Sequence, residues 1–139
     1  LDNSITGMTG HQQNPTTGFN IKGEPAAAVD LEALCHAIGI RRVTVVDPYD
    51  LQQVMAVLKE ELAAEEPSVI ISRRPCALLK YVKHNPPLSV DQDKCIGCKA
   101  CLGIGCPAIS YRDGKAVIDG TQCVGCGVCK GLCPKQAIG

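Results

Sequence analysis

The chain has 139 residues, enough for one domain or one and part of a second. Its 14 Lys or Arg balance 14 Asp or Glu, so no field of one sign points to nucleic acid or to an anionic membrane. Four aromatic residues without a Trp offer no readable base-stacking surface, and the apolar runs fall far short of a bilayer span.

Leu1-Asp2 reads as the end of a strand. After it, Gly7 and Gly10, among threonines, can form a loop whose backbone donors face an anion, or a plain surface loop. His11 taken alone is a surface or hydrogen-bonding residue. From Asp30 the pattern turns helical, with Leu31, Leu34, Cys35 and Ile38 on one inner face, Asp30 as N-cap and Gly39 as the stop. Residues 42–46 form a short buried strand. A second helix is expected to open at Asp47-Pro48, with Asp47 as cap and Leu51, Val54, Met55, Leu58 and Leu62 lining its apolar face. Ser68–Ser72 is another apolar strand, and the alternation predicts a parallel α/β layer. Two strands and two helices are too little for an independent sheet, so this part reads as the tail of a larger α/β domain. Cys35 and Cys76 read as structural.

The other eight of the ten cysteines lie between 95 and 133 in two runs. The first is Cys95-Ile-Gly-Cys98-Lys-Ala-Cys101, with Cys106-Pro107 after four residues; the second is Cys123-Val-Gly-Cys126-Gly-Val-Cys129, with Cys133-Pro134 after three. A shift of 28 superposes the first three cysteines of each run and the Gly before the second, which marks an internal duplication. Disulfides would need an oxidising compartment, and no secretory signal opens the sequence. Zinc knuckles use paired Cys-x2-Cys and leave the third Cys and the Cys-Pro without a role. A pair of [4Fe–4S] cubanes uses all eight: three thiolates come from one loop and the fourth from the remote Cys-Pro of the other run. Cys95, Cys98, Cys101 and Cys133 are therefore assigned to one cluster, and Cys123, Cys126, Cys129 and Cys106 to the other.

Gly97, Gly125 and Gly127 are expected to let the backbone approach the clusters. The extra residue before Cys106 should alter the local turn without removing a ligand. Residues 109–118 read as a hairpin around Asp113-Gly114, with Tyr111 either covering the clusters or packing in the core. From Leu88 onward six Lys or Arg face four Asp or Glu, and loading two cores on eight thiolates would turn that formal +2 to about −2.

Leu1-Asp-Asn3-Ser-Ile5-Thr-Gly-Met-Thr9-Gly10-His-Gln12, joined to these runs, resembles the second half of the thiamine-diphosphate motif of 2-oxoacid:ferredoxin oxidoreductases. The tail with four residues before Cys106 is most similar to the alpha subunit of the indolepyruvate type, of which this chain would be the C-terminal part. The resemblance implies that residues 1–84 are the end of a thiamine-diphosphate-binding parallel-sheet domain and residues 85–139 a ferredoxin-like α+β domain with two [4Fe–4S] clusters. It implies that Asn3, by its side-chain oxygen, and Ile5, by its carbonyl, bind Mg²⁺, with Thr9 and Gly10 near the diphosphate. A carboxylate half of the metal motif would lie upstream, so these residues alone would bind the cofactor poorly and be inactive. No catalytic residue is assigned.

The implied activity is thiamine-dependent oxidative decarboxylation of a 2-oxoacid, indolepyruvate or another arylpyruvate, to its acyl-CoA. Electrons would pass through both clusters to an external ferredoxin, and a second, beta subunit would complete a cytoplasmic enzyme with no nucleic-acid or membrane partner. Pyruvate or another 2-oxoacid is the rival substrate. A stand-alone electron-carrier ferredoxin with an α/β docking segment is the rival function.

Overall fold

The computed structural model describes residues 1–7 and 11–139. The chain forms two compact units, Leu1–Val82 and Lys83–Gly139.

In the first unit, Asp30 accepts the N–H groups of Glu32 and Ala33 (2.9 and 3.1 Å) and opens α1, Leu31–Ala37; Gly39, at φ 96°, ends it. Strand β1, Arg42–Val46, pairs in parallel with β2, Ser68–Ser72, Arg42 lying opposite Ser68 and Val46 opposite Ser72. The helix that joins them, α2, spans Leu51–Leu62, so the unit is a βαβ crossover preceded by α1. Val46 and Ile71 are its deepest strand residues, at 2% and 5% exposure. Leu1-Asp2 adds a third extended segment: Asp2 N–H donates to the Ser72 carbonyl (2.9 Å), Arg74 N–H donates to the Asp2 carbonyl (3.0 Å), and Asp2 bridges Arg73 in parallel.

Two expectations are corrected by the fold. Helix α2 begins at Asp50, not at Asp47-Pro48. The Asp47 carboxylate instead accepts Tyr49 N–H (2.9 Å) in a turn and pairs with Arg74, whose guanidinium lies 4.0 Å over the Tyr49 ring. Asp50 takes the cap by accepting Gln53 N–H at 3.0 Å. The apolar helix faces are also not interior: Ile38, Met55 and Leu62 are 71%, 53% and 83% exposed, and neither helix has a buried residue. Two five-residue strands offer too little face to cover both helices. Helix α2 is fastened to β1 by charge, with Arg42 on Glu60 and Glu61 (2.9 and 2.8 Å).

The second unit makes the internal duplication visible. Strands β3, Ile109–Arg112, and β4, Lys115–Ile118, pair antiparallel about Asp113-Gly114, both at positive φ (48° and 81°), which is the twist of a type I′ hairpin. Val90 bridges Ile138, and Ser89 and Gly139 exchange both backbone hydrogen bonds (2.8 and 3.1 Å). That second ladder joins the unit's beginning to its end as β4 joins β3, since Val90 and Ile138 correspond in the repeat to Ile118 and Ile109. The correspondence extends to single bonds. Asp91 N–H donates to the Ala137 carbonyl at 2.7 Å and Asp119 N–H to that of Ala108 at 2.8 Å; Cys95 and Cys123 N–H donate to the carbonyls of Asp91 and Asp119, both at 3.0 Å. The core between the ladders holds Cys101, Ala116, Cys129 and Ile138.

The extra residue before Cys106 has a local effect only. After Cys126 the chain takes one α-helical turn, α3, Val128–Leu132; after Cys98 it takes a tighter 3₁₀ turn, Ala100–Ile104, closed by Gly105 at φ 65°.

Candidate functional site: two cysteine quartets and an asparagine turn

Each cysteine loop is opened by an aspartate. The Asp91 carboxylate accepts Asp93 and Lys94 N–H (3.0 and 3.2 Å); that of Asp119 accepts Thr121 N–H and hydroxyl (2.9 and 2.7 Å) and the Gln122 amide (2.7 Å). These donors, the Thr121 hydroxyl first, hold the Asp119 carboxyl down at about 2. Neither aspartate stands out in the sequence by itself. Extending the 28-residue shift four positions upstream brings out both, as Asp-x3-Cys-x-Gly-Cys.

The structure gathers the eight cysteines into two sets of four. Cys95, Cys98, Cys101 and Cys133 line a cavity of about 20 Å³ with apolar walls that include Val90, Ile96, Ala116 and Ile138. Burial raises the Cys101 thiol pKa, and the nearby Cys133, Cys95 and Cys98 raise it further. Burial does the same to Cys129, whose sulfur neighbours are Cys126, Cys123 and Cys106. Each set thus draws one member from the other run. Backbone donors face the sulfurs: Ala137 N–H to Cys133 Sγ at 3.3 Å and Leu88 N–H to Cys123 Sγ at 3.4 Å. The N–H groups of Ala116 and Gly97 lower the Cys95 thiol pKa.

A donor set of this kind suits an iron–sulfur core. Four thiolates gathered in one place, with one of each set buried (Cys101 and Cys129), repel one another, and a cationic core would supply the compensating charge. Among the described residues no three His, Cys, Asp or Glu side chains close on a single ion.

Two of the loop glycines are required by other parts of the unit. A Cβ on Gly97 (φ 67°) would stand 2.1 Å from the Gly114 carbonyl oxygen and 2.9 Å from the Tyr111 hydroxyl. One on Gly125 (φ 65°) would stand 2.5 Å from the Pro86 carbonyl oxygen and 2.7 Å from Asn85. The hairpin presses on the first loop and the segment 85–86 on the second. Tyr111 is therefore a buttress: its hydroxyl donates to the Gly97 carbonyl at 3.2 Å, and its ring, under the Lys99 ammonium at 4.7 Å, is part exposed.

In the first unit, Asn3 and Ile5 share one bend. The Asn3 side-chain oxygen accepts Ile5 N–H at 3.3 Å, which folds the chain so that the asparagine side chain and the next backbone turn lie together. Cys76 N–H donates to the Asn3 carbonyl at 2.9 Å. Arg73 holds Asp2 (2.9 Å) and Glu32 (3.0 Å), chiefly the Asp2 bond raising its own pKa. The anchors Arg73 and Cys76, also unforeseen, come from about 70 residues downstream. Asn3, Ile5, Gly7 and Arg74 open onto one cleft of about 1000 Å³. Thr6 and Gln12 exchange both backbone hydrogen bonds (3.0 and 2.9 Å). Thr9 and Gly10 lie outside the described residues. Asn3 offers an uncharged oxygen donor, the type that Mg²⁺ accepts beside phosphate oxygens.

Residues 1–72, about half of the chain, match the family model described as "Thiamine pyrophosphate enzyme, C-terminal TPP binding domain". The chain belongs to the thiamine pyrophosphate enzymes. Residues 116–139 match the model of the 4Fe-4S binding domain, which takes in the second cysteine run. Over 99% of its length the chain is 42% identical to indolepyruvate oxidoreductase subunit IorA of Pyrococcus horikoshii, 41% to that of Pyrococcus abyssi and 40% to that of Archaeoglobus fulgidus. It spans only 22% to 23% of the length of those relatives. A thiamine-binding domain part and a 4Fe-4S motif therefore stand in one mixed α/β chain. Among the described residues no helix is long and apolar enough to cross a membrane.

Proposed function

We propose that this chain is the C-terminal part of a thiamine-dependent 2-oxoacid oxidoreductase subunit that carries two [4Fe–4S] clusters, with indolepyruvate or a related arylpyruvate as substrate. The observation that supports it best is the pairing of the Asn3 turn, inside a thiamine-enzyme domain, with two interlocked cysteine quartets in the same chain. Residues 1–84 would belong to the thiamine-binding domain and residues 85–139 to the cluster domain.

In this reading Asn3 Oδ1 and the Ile5 carbonyl would hold Mg²⁺, and Thr9 and Gly10 would contribute to the diphosphate site. The Asp2–Arg73–Glu32 ion pairs and the Cys76 N–H keep the turn in place. Thiamine diphosphate, when bound, would supply the carbanion stabilisation that decarboxylation needs, and clusters held by the two quartets would supply one-electron steps. The chain's own task at the clusters is to shield them: Tyr111, the hairpin and the 85–86 segment pack the cysteine loops against water. Coenzyme A would take the acyl group, a ferredoxin the electrons, and a second subunit would complete the enzyme in the cytoplasm. The relatives' name, indolepyruvate oxidoreductase, favours the arylpyruvate over pyruvate.

The test is turnover by the full-length subunit assembled with its partner, anaerobic and thiamine-loaded. Dye reduction with indolepyruvate and coenzyme A that disappears without thiamine diphosphate supports the reading. Clusters that form but never reduce with any 2-oxoacid would leave the electron-carrier alternative standing.

A further inference from the structure

The duplicated cluster unit is symmetric in backbone but not in charge. Lys99 stands directly after Cys98, at φ 64°; its counterpart after Cys126, 28 residues on, is Gly127 at φ 82°. Both cap the turn that follows. A left-handed backbone suits glycine and strains lysine, so Lys99 sits where its own repeat shows the unstrained choice. Its side chain is also positioned, with Nζ 4.7 Å over the Tyr111 ring, while the Tyr111 hydroxyl is tied to the Gly97 carbonyl of the same cysteine loop.

Lys135 breaks the symmetry a second time. The first repeat runs from Cys106-Pro107 directly to Ala108-Ile109, whereas the second places Lys135-Gln136 between Cys133-Pro134 and Ala137-Ile138, with Gln136 at φ 50°. Lys99 and Lys135 both line the cavity of the first quartet. A third cation, Lys115, acts on Cys95, and its repeat counterpart is Pro87. The second repeat has Lys130 beside Cys129, where the first has Leu102. Hydrogen bonding does not offset this difference: each quartet carries an N–H···S contact of similar length, and the N–H groups of Ala116 and Gly97 face Cys95 of the first quartet besides.

We propose that the two quartets hold electrically unequal clusters, and that Lys99 and Lys135 make the one on Cys95, Cys98, Cys101 and Cys133 the more readily reduced. This rests on reading each quartet as a [4Fe–4S] site. One-electron reduction adds a negative charge to a site, and a cation at its mouth favours that form over the oxidised one. An electron shared between the two sites therefore settles at the first.

The experiment is an anaerobic dithionite titration of the cluster-loaded full-length subunit, followed by EPR, with iron counted on the same sample. Two separate midpoints are expected. Lys99→Gly, which installs the other repeat's residue and relieves the backbone, should lower the higher midpoint by roughly a tenfold change in the reduced-to-oxidised ratio, about 59 mV, and leave the lower one in place. Lys135→Gln should act in the same direction, and Lys99→Arg should keep the native value. Lys99→Gly that moves neither midpoint or both alike, or Lys99→Arg that matches Lys99→Gly, would overturn the proposal while leaving the two-cluster reading intact. Fewer than about eight iron atoms per native chain would overturn both.

Discussion

Gly97→Ala tests most sharply how the cluster unit is held together. The added methyl would lie 2.1 Å from the Gly114 carbonyl oxygen and 2.9 Å from the Tyr111 hydroxyl, both fixed by the β3–β4 hairpin. Neither is the loose end of a long side chain, so the hairpin or the cysteine loop must move. The left-handed φ of 67° adds about 1–2 kcal/mol for a non-glycine residue, and forced overpacking typically adds about 1–3 kcal/mol. The sum, roughly 2–5 kcal/mol, is a large part of what a small domain has. Gly103→Ala is the matched control: its methyl would meet no heavy atom within 4 Å, and its φ is not left-handed. The assay is retention of visible absorbance and iron during thermal unfolding of the loaded protein under argon. Gly97→Ala should lose its clusters at least about 8 °C earlier, at roughly 4–8 °C per kcal/mol for a unit of this size. Tyr111→Phe in the same background should recover little, because the carbonyl clash remains. Equal behaviour of Gly97→Ala and Gly103→Ala would refute the claim that hairpin and loop are in contact for structural reasons.

Cys133→Ser should remove the cluster of the first run, not of its own, and Cys106→Ser that of the second; iron analysis with EPR would show about half the iron lost in each and a different signal retained. Asn3→Ala should weaken thiamine diphosphate binding in Mg²⁺ about 10–100-fold in the full-length subunit, read as the cofactor concentration for half-activation. The Arg42 hydrogen bond lowers the Glu61 carboxyl below its ordinary 4.5, so the pair persists as pH falls through the unfolded value and is lost only at the lowered one. A carboxyl NMR titration should show that depression, and Arg42→Gln should reduce it, leaving the part due to the Ser68 hydrogen bond.

Features legible in the sequence are those with a local cause. Asp30 caps α1 because its carboxylate reaches the next turn's N–H groups, and Asp113-Gly114 turns the hairpin because both residues accept positive φ. Long-range partners decide the rest. Asp47-Pro48 has every local mark of a helix start, yet Arg74 takes the Asp47 carboxylate and the cap passes to Asp50. The glycines of the cysteine loops were legible as backbone needs, but that Gly97 faces Gly114 and Gly125 faces Asn85 depends on the folded hairpin and the 85–86 segment. Amphipathic spacing marked the apolar side of α2 without showing what covers Met55 and Leu62, which are exposed. The Asn3 turn was recognisable by family resemblance alone; its anchors at Arg73 and Cys76 are a fact of strand adjacency.

The most direct measurement of the central claim is cluster reduction by substrate within a single sample. The full-length subunit with its partner, thiamine-loaded and free of oxygen, would be mixed with indolepyruvate and coenzyme A and followed by visible absorbance and EPR. Reduction by substrate should show as bleaching and a reduced-cluster signal that require thiamine diphosphate and are strongly diminished in Asn3→Ala. Clusters that dithionite reduces fully but that no 2-oxoacid reduces would contradict the central claim.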